Sequence, residues 1–278
     1  MIKLILCDMD NTLIPLGESH ASQRTLSAIH ACLDAGIAFG PATGRNQPEV
    51  ASFLCNDAAC YASGLFANGQ QVLYKNELVH EVTLNANDLK VLEGIVRQYA
   101  NCALIIFRED GQADWTGDDP HALGKLFLEG AKLGRTRHEE LPVYPVVKAG
   151  VLTNVDRKEE LALKQEFTDA CPHLDFLNTT PGWCDVVPHG WNKAKGLRVL
   201  QRKMALDASE ICVFGDAEND LALFELAGHS CAVANATKEV LAKARWHVGA
   251  SKDDGVAIAL EQIAEAAQTG GTPAFMNT

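Results

Sequence analysis

No CxxC, CxxCH or HExxH spacing occurs among the nine cysteines and nine histidines of this chain, which removes the usual signatures of thiol redox, haem attachment and zinc. An odd cysteine count without such pairs reads as reduced thiols, those in apolar runs such as Cys7 and Cys212 being small core residues, and no zinc site is expected. Neither GxGxxG nor GxxxxGK[ST] follows a strand-like run, so dinucleotide enzymes and P-loop NTPases are disfavoured. No apolar run approaches the roughly 18 residues that cross a bilayer. Positive charge is also in short supply. At a net charge of −12 and a pI near 5.2 there is no excess of Lys and Arg to displace the counterions of a polyanion, so neither nucleic acid nor an anionic membrane is an expected partner. The run from Met1 meets an acid at Asp8, too early for a secretory signal, and the expected location is cytoplasmic.

What is present is an ordinary globular composition, 47% hydrophobic and 22% charged, enough to build a core without a partner. At 278 residues the chain suits one large domain or a domain carrying an insert. Lys3 to Cys7 is a short apolar run of the kind buried on both faces of a sheet. Ser22 to Ala35 follows as a helix, with Leu26, Ile29 and Leu33 at three- and four-residue spacing and Gly36 as its stop. Ile37 to Pro41 is then a second strand, and strand–helix–strand order requires a parallel pair with a crossover, hence an α/β fold.

The same alternation returns near the other end: helix Lys193 to Met204, strand Ile211 to Phe214, helix Asn219 to Leu226 and strand Cys231 to Ala234. Between lies a section of different character. It reads as helix Ala86 to Tyr99, strand Ala103 to Phe107, and a turn-rich acidic stretch from Asp110 to Pro120. Helix His121 to Leu133, strand Val146 to Leu152, helix Arg157 to Ala170 and strand Leu174 to Leu177 complete it. The economical expectation is a core of residues 1–82 and 184–278 interrupted by a smaller α/β insert at 83–183, with hinges at the two connections. Asn68-Gly69 signals a tight hairpin turn, and the tail from Gln268 to Thr278 is expected to fray.

Three strand ends carry the chemistry. Asp8-Met-Asp10-Asn11-Thr12 follows the first strand, Ala42-Thr43-Gly44-Arg45-Asn46 the second, and Gly215-Asp216-Ala-Glu-Asn219-Asp220 the strand from Ile211. Each alone also reads as a turn. In an open parallel sheet, however, ligands bind at the carboxyl ends of the strands, so all three segments converge on one place. Four carboxylates there (Asp8, Asp10, Asp216 and Asp220) repel one another unless a cation intervenes, and Mg²⁺ suits an oxygen-only donor set. Thr43 and the Gly44 N–H suit an anion, and Lys193, opening its helix after Gly190-Trp-Asn192, adds a compact positive charge for phosphate.

At these residues the chain resembles the haloacid dehalogenase-like superfamily, and within it the Cof-type phosphatases with a large cap between the second and third motifs. The first motif, DxDxT, is matched by Asp8, Asp10 and Thr12; the second by Thr43; the third-motif lysine by Lys193; and GDxxND by Gly215, Asp216, Asn219 and Asp220. Ala232-Val-Ala-Asn-Ala236 and Asp254-Gly-Val-Ala257 are similar to the usual ending of the family. Asn11 stands where many relatives have Gly, and Asn tolerates left-handed backbone.

The resemblance implies a Rossmann-like core with an inserted cap, and hydrolysis of a small phosphorylated metabolite such as a sugar phosphate. Asp8 would be the nucleophile and Asp10 the general acid and base. Asp8, the Asp10 carbonyl and Asp216 would hold Mg²⁺, with Asp220 at that metal directly or through water. Thr43, Gly44 and Lys193 would bind the phosphate, with Asn219 and Asp220 orienting Lys193 or metal-bound water, and Arg45 and Asn46 reaching the substrate. Cap residues would set specificity. A phosphosugar mutase would share these residues, a receiver-type domain would need neither the insert nor DxDxT, and a non-catalytic phospho-ligand binder would lack a nucleophile or metal ligand.

Overall fold

The computed structural model describes residues 1–123, 132–133 and 137–277, and the chain divides into two compact units, Met1–His80 with Asn192–Thr278, and Glu81–Trp191. The first stretch gives β1 (Leu4–Cys7), α1 (Gln23–Asp34), β2 (Ala38–Pro41), α2 (Gln47–Phe53), β3 (Gly64–Phe66), β4 (Gln71–Tyr74) and β5 (Glu77–Glu81). The second unit follows with α3 (Ala86–Val96), β6 (Cys102–Phe107), β7 (Gln112–Gly117), α4 (Pro120–Leu123), β8 (Lys132–Leu133), β9 (Lys148–Thr153), α5 (Arg157–Ala170), β10 (Leu174–Thr180) and β11 (Trp183–Pro188). The chain then returns through α6 (Lys193–Met204), β12 (Ile211–Gly215), α7 (Leu221–Leu226), β13 (His229–Val233), α8 (Lys238–Lys243), β14 (Trp246–Val248) and α9 (Gly255–Thr269).

The first unit is built on a parallel sheet of order β14-β13-β12-β1-β2, so the fold is α/β as the sequence predicts. β1 lies between β2 and β12 and all four of its residues are buried, which is why its sequence is continuously apolar rather than alternating. Each Leu, Ile or Phe buried in this layer contributes roughly 1.5–3 kcal/mol relative to exposure. Ser22 caps α1 by accepting from the Thr25 N–H, and Gly36, at φ 78°, ends it in the left-handed conformation glycine tolerates. A separate sheet of order β3-β4-β5 carries the hairpin signalled by Asn68-Gly69. Its tip takes three left-handed residues in succession, Ala67, Asn68 and Gly69, all buried.

The tail departs from expectation. α9 runs to Thr269, Gly270 caps it at φ 73°, and Ala274–Met276 form a short 3₁₀ turn. Gln262 accepts from the Phe275 N–H at 3.0 Å and Met276 is buried, so apolar side chains after the Gly-Gly break pin the segment that composition alone reads as frayed.

The second unit is a six-stranded sheet of order β10-β11-β9-β6-β7-β8. Leu92 and Val96 of α3 and Leu163 and Phe167 of α5 share a cluster with Leu104, Val151 and Phe176. Ile105, Phe107, Trp115, Leu152 and Trp183 form a second cluster. The sequence expectation ends the insert at Trp183, whereas β11 pairs with both β9 and β10 and keeps the unit together to Trp191. The acidic stretch after Asp110 is not all turn. Arg108 to Gly111 turn and the chain bends at Asp118, but Gln112–Gly117 is a strand whose buried Asp114 accepts from Nε and Nη2 of Arg108 (2.7 and 2.6 Å) and from the Tyr144 hydroxyl (3.1 Å). A charge satisfied in this way sits inside a strand at small cost. Of the helix expected from His121 to Leu133, only the start falls in α4, Lys132–Leu133 pair with β7 as strand, and the rest lies outside the described residues.

Candidate active site

β1 delivers Asp8 to the carboxyl edge of the sheet with its N–H still in the ladder, bonded to the Phe214 carbonyl at 3.0 Å. The chain then closes a tight loop in which Leu13 N–H reaches Asp8 O (3.2 Å), Ile14 N–H reaches Met9 O (2.9 Å) and Asn11 N–H reaches Ile14 O (2.8 Å). Asn11 takes φ 61°, the left-handed conformation expected of it. The loop aims its polar side chains at the end of β12: Asn11 Nδ2 donates to Asp216 Oδ2 at 2.8 Å, and Thr12 Oγ1 to Asp216 Oδ1 at 2.9 Å. Asn235 locks the loop from outside, donating to the Asn11 carbonyl at 2.8 Å while accepting from the Ser251 N–H at 2.8 Å.

Lys193 supplies the cation. It opens α6 behind the cap Asn192, is only 1% exposed, and its Nζ donates to Asp8 Oδ1 and Asp220 Oδ1, each at 2.7 Å. α6 can stand so close because Gly196 faces Gly69 of the hairpin tip. A Cβ on Gly196 would lie 2.9 Å from Gly69 Cα and 3.0 Å from its carbonyl oxygen. Gly196→Ala is therefore expected to destabilise the protein by about 1–3 kcal/mol through overpacking, and to lower activity by displacing Lys193. Urea unfolding and an assay on the same preparation check both; an unchanged midpoint would show that the hairpin tip yields.

Asp8, Asp216 and Asp220 place carboxylate oxygens within 4.8 Å of one another, all three buried, against one lysine. Burial pushes Asp8 well above the usual carboxylate range; Lys193 opposes the rise, and Asp220, Asp216 and Asp10 add to it. Burial raises Asp216 as well, with the Asn11 hydrogen bond opposing and Asp220 adding. For Lys193 burial disfavours the cation, but Asp220 and Asp8 outweigh it and its pKa is raised. Uncompensated negative charge confined in this way, with oxygen donors only, fits a hard divalent cation. Asp8 Oδ2 accepts no hydrogen bond within the described chain, and each Asp216 oxygen accepts one, leaving lone pairs for a metal. Asp220 differs. Its Oδ1 takes Lys193, and its Oδ2 takes the Asp216 and Ala217 N–H groups at 3.1 and 3.3 Å, so it is spent on anchoring the lysine. Gly215 makes room for it, since a Cβ there would lie 2.5 Å from Asp220 Oδ2.

The remaining sequence candidates divide. Thr43 is buried beyond β2, accepting the Arg45 N–H on its hydroxyl at 3.1 Å and the Asn68 N–H on its carbonyl at 2.8 Å, and Gly44 beside it is half-buried. Asp10 is not in the buried cluster. Its side chain is 51% exposed and held bidentate by Arg45, at 2.9 Å from Nε and 2.7 Å from Nη2, while the guanidinium lies 4.1 Å from the Phe53 ring centre. Asn46, expected at the substrate, is instead a buried helix cap: its Oδ1 accepts the Glu49 N–H and its own N–H donates to Glu49, a reciprocal box that turns the side chain toward α2. Of Asn219 and Asp220, expected to orient Lys193 or metal-bound water, Asp220 bonds the lysine, whereas Asn219 sits half-buried in the 3₁₀ turn Glu218–Asp220 and both hydrogen bonds of Lys193 go to carboxylates. Nothing in the linear order of the residues tells that Asn11 and Thr12 position Asp216, or that Asn235 holds their loop.

A family model described as haloacid dehalogenase-like hydrolase matches residues 5–260. An HMP-PP phosphatase of Cronobacter sakazakii is 27% identical over 249 residues, covering 87% of this chain and 88% of its own length. One from Yersinia pseudotuberculosis is 27% identical over 249 residues, covering 86% of each. Among solved structures, a haloacid dehalogenase-like hydrolase from Bacteroides thetaiotaomicron matches with a TM-score of 0.83 at 23% identity, over 95% of this chain and 100% of that one. A subclass IIB sugar phosphatase matches with a TM-score of 0.78 at 19% identity, over 94% and 98%. At such identities the structural likeness speaks for the fold.

Proposed function

This chain belongs to the haloacid dehalogenase-like hydrolase family, and from that premise we propose that it is a Mg²⁺-dependent phosphatase of a small phosphomonoester, a sugar phosphate or similar metabolite, acting through a phosphorylated Asp8. The observation that carries the reading is the buried Asp8–Lys193–Asp220 chain at the strand ends, a carboxylate held beside a cation that suits phosphate oxygens.

Asp8 attacks phosphorus in line, its new bond forming as the bond to the leaving oxygen breaks. Asp10 donates a proton to that oxygen, then accepts one from the water that attacks phosphorus, releasing inorganic phosphate and restoring Asp8. For either transfer Asp10 must first leave Arg45, and its exposed position gives it room to do so. Lys193, the Thr43 hydroxyl and the Gly44 N–H bind the non-bridging oxygens, whose charge needs stabilising throughout. Asp8, Asp216 and the Asp10 carbonyl would hold Mg²⁺, with Asp220 behind Lys193; bound there, Mg²⁺ neutralises charge so that an anionic carboxylate can approach an anionic phosphate.

Chelation is the first check. EDTA is expected to reduce phosphate release to background and Mg²⁺ to restore it, whereas full turnover in protein verified metal-free would remove the cation from the reading. Released phosphate measured over a panel of sugar phosphates and HMP-PP, the compound in the relatives' names, would then define the substrate. No release from any member would sink the phosphatase assignment.

A further inference from the structure

A second group of metal-ligating side chains lies within the first unit and includes none of the residues above. His30 projects from α1. Asp57 and Cys60 belong to the short 3₁₀ turn after α2, where Asp57 caps the turn by accepting the Ala59 N–H at 3.2 Å and the Cys60 N–H donates to the Asp57 carbonyl at 3.0 Å. The imidazole nitrogen of His30, a carboxylate oxygen of Asp57 and the Cys60 sulfur all lie within 4.8 Å of one another. Cys60 is buried at the floor, whereas the His30 and Asp57 side chains are 44% and 32% exposed, so the trio opens toward solvent on one side.

The donor set is one nitrogen, one sulfur and one oxygen, unlike the oxygen-only cluster at Asp8. Hard Mg²⁺ has no use for a thiolate, but zinc takes Cys, His and carboxylate ligands together and commonly keeps a water in the fourth position when three are supplied. His30 Nε2 and Asp57 Oδ2 stand 2.6 Å apart as a hydrogen bond, closer than two ligands on one zinc, whose bonds of about 2.0–2.2 Å spread tetrahedral donors to about 3.3 Å. The pair therefore has to open by under an ångström, and two partly exposed side chains whose mutual ion pair is worth little can do so.

From this geometry we propose that His30, Asp57 and Cys60 form a zinc site, distinct in metal class from the carboxylate cluster. On binding, the Cys60 thiol gives its proton to solvent as the zinc–sulfur bond forms; the Nε2 proton that His30 donates to Asp57 leaves to solvent from an imidazolium, or is replaced by one at Nδ1 in the neutral ring, so that the Nε2 lone pair coordinates, and no electron changes hands. Linear spacing conceals such a site because the histidine comes from a different helix.

Cobalt(II) is the probe, used with Mg²⁺ in excess to cover the oxygen cluster, and in a Cys55→Ser background because Cys55 is an exposed thiol on the same loop. One equivalent of cobalt is expected to produce the near-ultraviolet thiolate-to-cobalt charge-transfer band, which zinc then bleaches. His30→Gln should weaken cobalt binding at least tenfold while leaving Mg²⁺-supported phosphate release unchanged, and Cys60→Ser should remove the band. Absence of the band, or its persistence in Cys60→Ser, would mean an ion pair beside a buried thiol and no metal site. If Cys60→Ser fails to fold, the half-exposed His30→Gln variant decides alone, an unaltered cobalt affinity overturning the proposal.

Discussion

Asp8→Asn is expected to abolish phosphate release and to leave no phosphorylated protein with any substrate, while Asp10→Asn still takes phosphate and fails to shed it. The asymmetry follows from where the two carboxyls sit. Asp8 is buried in the cluster and supplies both the attacking oxygen and a metal ligand, and an amide replaces neither. Asp10 is half exposed on Arg45, and its proposed metal contact is its main-chain carbonyl, which substitution leaves intact. Loss of acid–base help costs roughly 10²–10⁴ in rate. With an aryl phosphate, whose leaving group needs little protonation, formation suffers less than hydrolysis, so phosphate should accumulate on Asp8. Acid quench followed by intact-mass spectrometry reads the result directly. Added phosphate on Asp8→Asn together with none on Asp10→Asn would reverse the roles.

Lys193→Met is expected to be the most damaging single change to the fold of the site. It leaves the buried Asp8 and Asp220 carboxylates facing each other without a cation, and removing one partner of a buried pair typically costs about 3–5 kcal/mol. Loss of a charge stabiliser in the transition state adds a fall of about 10²–10³ in turnover. The pH dependence has a definite sign. Asp8 is already held above the usual carboxylate range by burial, and the variant removes the lysine that opposes that rise. A carboxyl raised on folding favours the folded state at low pH and loses that advantage as pH climbs through its folded pKa. The deficit should therefore be smallest below the ordinary carboxylate range and largest near neutrality, where Mg²⁺ should recover part of it. Urea midpoints at both pH values, with and without Mg²⁺, test this. Adding Asp220→Asn to Lys193→Met should regain stability without regaining turnover; equal midpoints for wild type and Lys193→Met would show that the buried lysine is not what holds the carboxylates.

Much of this site is legible in the sequence because short, continuously apolar strands end abruptly in polar residues, and chain order then fixes which ends meet. Asp8, Thr43 and Asp216 are found in that way. Lys193 needs the motif resemblance, since nothing in a helix-opening lysine tells that it is buried. Other residues take places the sequence does not announce, for identifiable reasons. Asn46 with Glu49 three residues on is a capping-box pattern, and that local signal outranks the assumption that everything after the second strand faces the ligand. Asn219 and Asp220 are both expected to orient the lysine or metal-bound water; Asp220 holds the lysine, and a single 3₁₀ turn decides which of the two polar neighbours points inward. The strand Gln112–Gly117 is hidden by its acid, whose partner Arg108 lies just across the hairpin turn. Asn235 stands in the Ala232–Ala236 stretch that resembles the family's ending, and its part in closing the Asp8 loop shows only once the loop is folded.

The position of β1 between β2 and β12 has a consequence for how the protein comes into being on the ribosome. Asp8 is made well before its partners: Lys193 lies 185 residues downstream and β12 later still. At synthesis rates of about 5–20 residues per second, roughly 10–40 s pass in which the nucleophile's strand has β2 available but neither its other neighbour nor the lysine. A nascent chain stalled before Gly190 should accordingly be inert toward an aryl phosphate, and labelling of Asp8 in such a chain would show that the lysine and β12 are dispensable. Chemical competence arrives in one late step, when β12 slots in beside β1.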